Sequence, residues 1–205
     1  YPKSSTEEPR QAAPGDPLEE GLCAALTWLR AEPLPEAVER RARHLLLDAL
    51  GCALSGRLHD EVARLEATLR RLSPGEVRIA GFTDGLSLEA AVRCFACAQC
   101  WDEANDGFAP AHGRPALHAA PVALCLGLRL GASLGATLRA LVFGYEIGAR
   151  AGMALRVPEG THVDGTWGSL GAAAAAAALL DLDDGVRPVR PIRVSTIRAS
   201  SRAPR

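Results

Sequence analysis

Seven consecutive alanines, at positions 172–178, constrain this chain more than any other feature. Such a run has high helix propensity and almost no side-chain volume, so it predicts a helix, opening at Thr166, that neighbours cover on all sides. Glycines at 127, 131, 135, 144, 148 and 152 extend the same logic to two helices upstream, over 116–131 and 134–155. Small residues there let backbones approach closely, as at tight helix crossings.

The rest of the chain carries a 3.6-residue apolar period. Residues 34–55 place Val38, Ala42, Leu45, Leu46, Ala49 and Ala53 on one face, and residues 60–72 do so with Val62, Leu65, Leu69 and Leu72. Asp16-Pro17-Leu18-Glu19 has the cap, proline and glutamate of a helix start for 18–29, residues 86–101 are again helical, and 77–80 read as a short strand. Aromatics make up only 4% of the chain, which disfavours a β-sandwich or barrel. The expected fold class is all-α.

With 205 residues, 48% hydrophobic and 23% charged, the chain is long enough for one buried core. Residues 1–17 read as a disordered leader, 18–184 as the helical domain, and 185–205 as an Arg/Pro-rich disordered tail. That tail holds six arginines and no acid. An RNA-binding reading of it rests on charge alone, because aromatic stacking groups are missing, and a net charge of −1 gives no ground for a nucleic-acid or membrane-surface partner. The longest apolar run, 119–128, is too short to span a bilayer. Six cysteines in apolar, helical contexts suit buried thiols in a reducing cytoplasm, without disulfides. Lys3 is the sole lysine, so chemistry needing a lysine in the folded body is closed to this chain.

Three constellations carry chemical groups. Cys94-x-x-Cys97-x-x-Cys100 has the spacing that opens a ferredoxin-type cluster motif, but position 104 is alanine. On a helix the three cysteines drift around the surface, so buried thiols beside Phe95 and Trp101 are the plainer reading, and no metal is assigned. The loop 102–115 collects Asp102, Glu103, Asn105, Asp106, His112 and Arg114, with His118 just beyond. Imidazoles exchange protons near neutrality, carboxylates orient them, and arginine clamps a carboxylate. The alternative is structural: acids and amides capping helices, His118 packed, Arg114 binding carbonyls. The third is 160–171, where His162 precedes a helix start whose free N–H groups favour an anion near Thr166.

In three stretches the sequence resembles the MmgE/PrpD family, which includes 2-methylcitrate dehydratase and cis-aconitate decarboxylase. They are Leu46-Leu47-Asp48-Ala49-Leu50-Gly51 through Gly56; the acidic loop to His112-Gly113-Arg114-Pro115; and Gly144-Tyr145-Glu146 through His162 to the Gly168-Ser169-Leu170-Gly171-Ala172-Ala173 helix. The resemblance implies an all-helical N-terminal domain, here lacking the family's α+β lid, in a homodimer that uses neither metal nor organic cofactor. His112 and His162 match the family's active-site histidines. The family's Asp-Phe-Asp-Asp-Thr matches Cys100-Trp101-Asp102-Glu103-Ala104, so Asp102 and Glu103 stand while its first Asp and its Thr are replaced. A short insertion displaces His112 and makes His118 its rival.

The expectation is therefore the N-terminal part of a cofactor-independent cytoplasmic lyase acting on a small polycarboxylate. His112 and His162 are its acid/base pair and Asp102 orients them, with Glu103, Arg114 and Thr166 binding substrate. The family's lysine and lid residues have no counterpart here, so low activity is expected of this chain. The alternative is a non-catalytic remnant, or a helical interaction module that dimerises through its small-residue helices.

Overall fold

A computed structural model describes residues 20–21, 24–25, 27–29, 32–82 and 85–180. The expected leader and tail, and Asp16 to Glu19 of the first helix start, lie outside the described residues, while residues 20, 21, 24, 25 and 27–29 are helical.

Helix α1 (Glu36–Gly56) follows Pro35, has Glu36 and Glu39 in its first turn, and buries Ala42, Leu45, Leu46, Ala49 and Ala53. The acids suit the positive end of the helix dipole. Helix α2 (Asp60–Leu72) is amphipathic and buries Val62, Glu66 and Leu69. Glu66 accepts from Arg57 Nε at 2.6 Å, and that guanidinium lies 5.2 Å from the centre of the Phe82 ring. A buried carboxylate is tolerable in this place because a charge-assisted hydrogen bond meets it, from a guanidinium that the cation–π contact with Phe82 holds in position.

Strand β1 (Pro74–Val77) bridges to Leu86 and leads towards helix α3 (Leu88–Cys100), which Ser87 caps by accepting from Ala90 N. Helix α4 (Pro115–Leu130) begins with proline in its first turn and stops at Gly131, whose φ of 64° is left-handed. Helix α5 (Leu134–Ala154) is capped by Ser133, and helix α6 (Gly168–Leu180) completes the described fold. α1 packs on α3, α3 on α4, and α4, α5 and α6 all pack on one another. Phe95, Cys94 and Ala98 of α3 sit in the core between these layers. The fold is all-α, and among the described residues no lid of α+β type occurs.

The α5–α6 crossing is as tight as the glycine pattern requires. A Cβ on Gly144 would lie 2.7 Å from the Gly171 carbonyl oxygen, and one on Gly171 would lie 2.7 Å from that of Gly144. These glycines are used inside the fold, so they are not a free seam for association.

Several expectations need correction. The strand occupies 74–77 rather than 77–80, because the bridges to Leu86 fix its register. The alanine helix is covered on one side only: Gly168, Gly171 and Ala175 are buried, while Leu170 and Leu180 are exposed. Its small residues meet α4 and α5 along a single stripe. Val38 and Leu72, assigned to core faces, are exposed, as is Trp101. Cys97 is exposed and Cys52 and Cys100 are half-buried, so burial holds only for Cys94 and Cys125; Cys23 lies outside the described residues.

Candidate active site

The loop after α3 is held at both ends. Asp102 Oδ2 accepts from Ser55 Oγ at 2.6 Å and its Oδ1 lies 2.7 Å from His59 Nε2, which ties the loop to the end of α1. These hydrogen bonds hold the Asp102 carboxyl below the usual carboxylate range. At the other end Asp106 Oδ2 accepts from Ala116 N at 3.3 Å, capping α4. Burial, with Asp48 nearby, pushes the Asp106 carboxyl up to about 6, against the pull of that N–H, Arg114 and Arg41. Between these anchors Phe108 N donates to Gly113 O at 2.8 Å, which closes a tight turn around a short 3-10 segment, Ala109–Ala111.

Arg114 is the hub. One terminal nitrogen donates to Glu103 and, at 3.3 Å, to Asn105 Oδ1, and the other donates to Asp164 across 50 residues of sequence. Its side chain and that of Asp164 are each 15% exposed, whereas that of Glu103 is 69% exposed. Burial alone lowers the Arg114 affinity for its proton, but Asp164 foremost, with Cys100 and Glu103, outweighs it and the net shift is upward. This bridge joins the loop after α3 to the loop before α6.

A second contact joins the same loops. A Cβ on Gly113 would lie 2.5 Å from the Trp167 ring and 3.3 Å from Val163, so only glycine lets the chains meet there. Trp167 is buried, and the His118 ring lies edge-on to it at 5.9 Å between centres. Gly168 makes room for that imidazole, since a Cβ would come within 2.3 Å of it. His118 Nε2 stands 3.7 Å from Asp164 Oδ1, and burial lowers the His118 pKa despite that carboxylate. A neutral imidazole near pH 7 follows, the form that accepts a proton. His118 Nε2, Asp164 Oδ1, Asn105 Nδ2, Asp106 Oδ1 and Trp167 Nε1 are all buried without a hydrogen-bond partner in the protein. Buried polar groups are normally satisfied, and such a concentration marks a place built to receive polar atoms.

The expected residues divide accordingly. Glu103 and Arg114 are in direct contact. His162 lies beside them, with Nδ1 3.7 Å from Asp164 Oδ2 and accepting from Asp164 N at 3.3 Å, while its ring is 77% exposed. His112 is exposed at a left-handed φ of 49°, one residue before the Gly113 contact. Thr166 donates to Val163 O at 2.6 Å, and α6 starts two residues later than expected, at Gly168. Asp102 is engaged with Ser55 and His59 and touches neither expected histidine. Sequence reasoning gave Asp164 no role. The available signal was an acid two residues after His162, opposite an arginine that needed a counter-ion.

Burial pushes the Cys94 thiol up to about 12 and raises that of Cys100, so neither is a ready thiolate ligand. Among the described residues no group of three or more potential ligands is arranged to hold a metal ion.

Fold and site together define a helical domain that brings a half-buried arginine–carboxylate bridge and the imidazoles of His118 and His162 to the junction of two loops. Its sequence matches the MmgE/PrpD N-terminal domain over residues 6–186, and the chain belongs to the MmgE/PrpD family. No curated protein matches the chain. Among the described residues no helix is long and apolar enough to cross a membrane.

Proposed function

We propose that the chain is the helical part of a cofactor-independent lyase, a dehydratase or decarboxylase, that acts on a small polycarboxylate by histidine acid/base catalysis. The observation that carries this reading is the Arg114–Asp164 bridge, which gathers His118 and His162 around one carboxylate with His112 on the adjoining turn. His162, exposed, meets the substrate and exchanges a proton with it. His112 is the other member of the pair, and His118 stands behind Asp164, its ring edge-on to Trp167. Arg114 takes a substrate carboxylate where Glu103 now lies, because Glu103 is exposed and displaceable while Asp164 is not. Asp102 contributes by anchoring the loop, and Thr166 by fixing the turn ahead of α6.

The test is calorimetry with cis-aconitate and 2-methylcitrate, together with exchange of a substrate C–H proton in heavy water. Binding and exchange that fall at least tenfold in both His162→Ala and Arg114→Met support the reading. Binding that ignores both substitutions would sink it.

The chain is further proposed to form a homodimer. Leu47, Leu54 and Leu58 are exposed along α1 and its end, and a Cβ on Gly51 would meet nothing. Sedimentation that reports a monomer at all concentrations would refute this.

A further inference from the structure

Among the described residues two that are not glycine have a left-handed backbone, Glu103 with φ 53° and His112 with φ 49°. Residues other than glycine, asparagine, aspartate and histidine rarely adopt that region, because Cβ crowds the following carbonyl oxygen. A glutamate stays there only where its surroundings leave it no other choice. Glu103 is fixed from both sides. Its backbone follows Asp102, whose two carboxylate oxygens are taken by Ser55 Oγ at 2.6 Å and His59 Nε2 at 2.7 Å, and its own N–H donates to Cys100 O at 3.0 Å. Its carboxylate receives Arg114 on one oxygen and the Cys100 thiol, at 3.5 Å, on the other.

The holders of Asp102 stand on a stiff frame. Ser55 lies in the last turn of α1, and His59 immediately precedes α2. Between them a Cβ on Gly56 would overlap the Ala98 carbonyl oxygen, so the end of α1 lies directly on the last turn of α3. The His59 ring stands 5.9 Å from that of Trp101, and it makes no side-chain cap for α2, so its bond to Asp102 is not a by-product of helix capping. At the far end Asp164 pins Arg114. Glu103 is therefore stretched between two fixed points, and its exposed carboxylate is the part able to leave.

We propose that Ser55 and His59 are positioning residues which, through Asp102, hold Glu103 in its left-handed conformation and so keep its carboxylate on Arg114 as a stand-in for that of a substrate. The inference rests on the reading of Arg114 as the substrate-carboxylate site. When the latch on Asp102 is removed, the Glu103 backbone relaxes, its carboxylate swings into water, and Arg114 is open to a ligand.

The test has two arms, the first without ligand. Glu103→Gly and Glu103→Ala both lose the carboxylate and differ in backbone freedom. In the otherwise unaltered chain Glu103→Gly should melt a few degrees above Glu103→Ala, the reverse of their order at an ordinary position. With Ser55→Ala and His59→Ala added, the gap should close, because nothing then imposes the left-handed backbone. An unchanged gap overturns the proposal. In the second arm, calorimetry with cis-aconitate should show Glu103→Gln binding tighter than the parent by about two- to fivefold, the worth of an exposed ion pair. Ser55→Ala with His59→Ala should tighten binding to a similar degree and add nothing to Glu103→Gln, while Ser55→Thr, which keeps the hydroxyl, should bind as the parent does. A purely structural role would instead weaken binding in every background. Weaker binding in Glu103→Gln overturns the proposal, since Glu103 would then be a contact of the ligand and not its stand-in. No binding to the parent or to Glu103→Gln would remove the lyase reading, and the melting comparison would then decide on the latch by itself.

Discussion

Asp106 caps α4 from a position where both burial and the nearby Asp48 oppose its charge. Its folded pKa, about 6, lies above the ordinary value of 3.8, so the folded chain binds this proton more readily than the unfolded one. The stabilisation is fully present below about pH 4 and is lost as the pH rises through about 6. Asp106→Asn should therefore melt a few degrees above the parent at pH 7, with the gap closing near pH 4, as followed by circular dichroism. His118 works in the opposite sense. Its pKa is depressed below 6.5, so its contribution is present above that value and lost as the pH falls through the lowered one. His118→Gln should lose less melting temperature than the parent between pH 7.5 and pH 5. The two variants bend the same stability curve in opposite directions, which separates these effects from general acid unfolding.

At the scale of elements, the α5–α6 crossing is the least forgiving contact. Gly171→Ala would put a methyl group against the Gly144 backbone, which cannot swing aside as a side chain can. Overpacking of this kind costs about 1–3 kcal/mol, measurable as a lower urea midpoint. Gly135→Ala is the matched control, because its Cβ meets only the Ser133 hydroxyl, at 3.9 Å, and α5 gains helix propensity of up to about 1 kcal/mol. Most elements were legible in the sequence. Residues 60–72 have the expected boundaries and the helix expected over 134–155 ends one residue earlier, because Ser133, Pro74 and Gly75 punctuate a clean apolar period. The alanine helix was legible as a helix but not in its coverage. Alanine has no amphipathic pattern, so nothing local distinguishes its buried stripe from its open side.

At the scale of the molecule, the site was legible in its ingredients and not in its pairing. Both loops could be picked out by their histidines, glycines and acids, and Arg114 and Glu103 lie eleven residues apart. Asp164, by contrast, meets Arg114 and His118 only because α4, α5 and α6 pack together, and no periodicity encodes a contact across 46 or 50 residues. Asp102 misled for the same reason: its partners, Ser55 and His59, lie more than forty residues upstream. If the Arg114–Asp164 bridge unites the two loops, Asp164→Asn should speed amide hydrogen exchange in 103–114 and 161–167 together, by a similar factor. Exchange should stay unchanged in α1 and α3, and a response confined to one loop would show that the loops are held independently.

Gly144 and Gly171 leave a further consequence. Each denies room to any atom beyond its own backbone, so α6 has a single register along α5, and Trp167 and Gly168 stand within one helical turn of that contact. The position of the His118 ring is thus gauged by two residues without side chains. Drift in the alanine run beyond them changes little, whereas one added methyl group at the crossing shifts the reference from which the whole junction is measured.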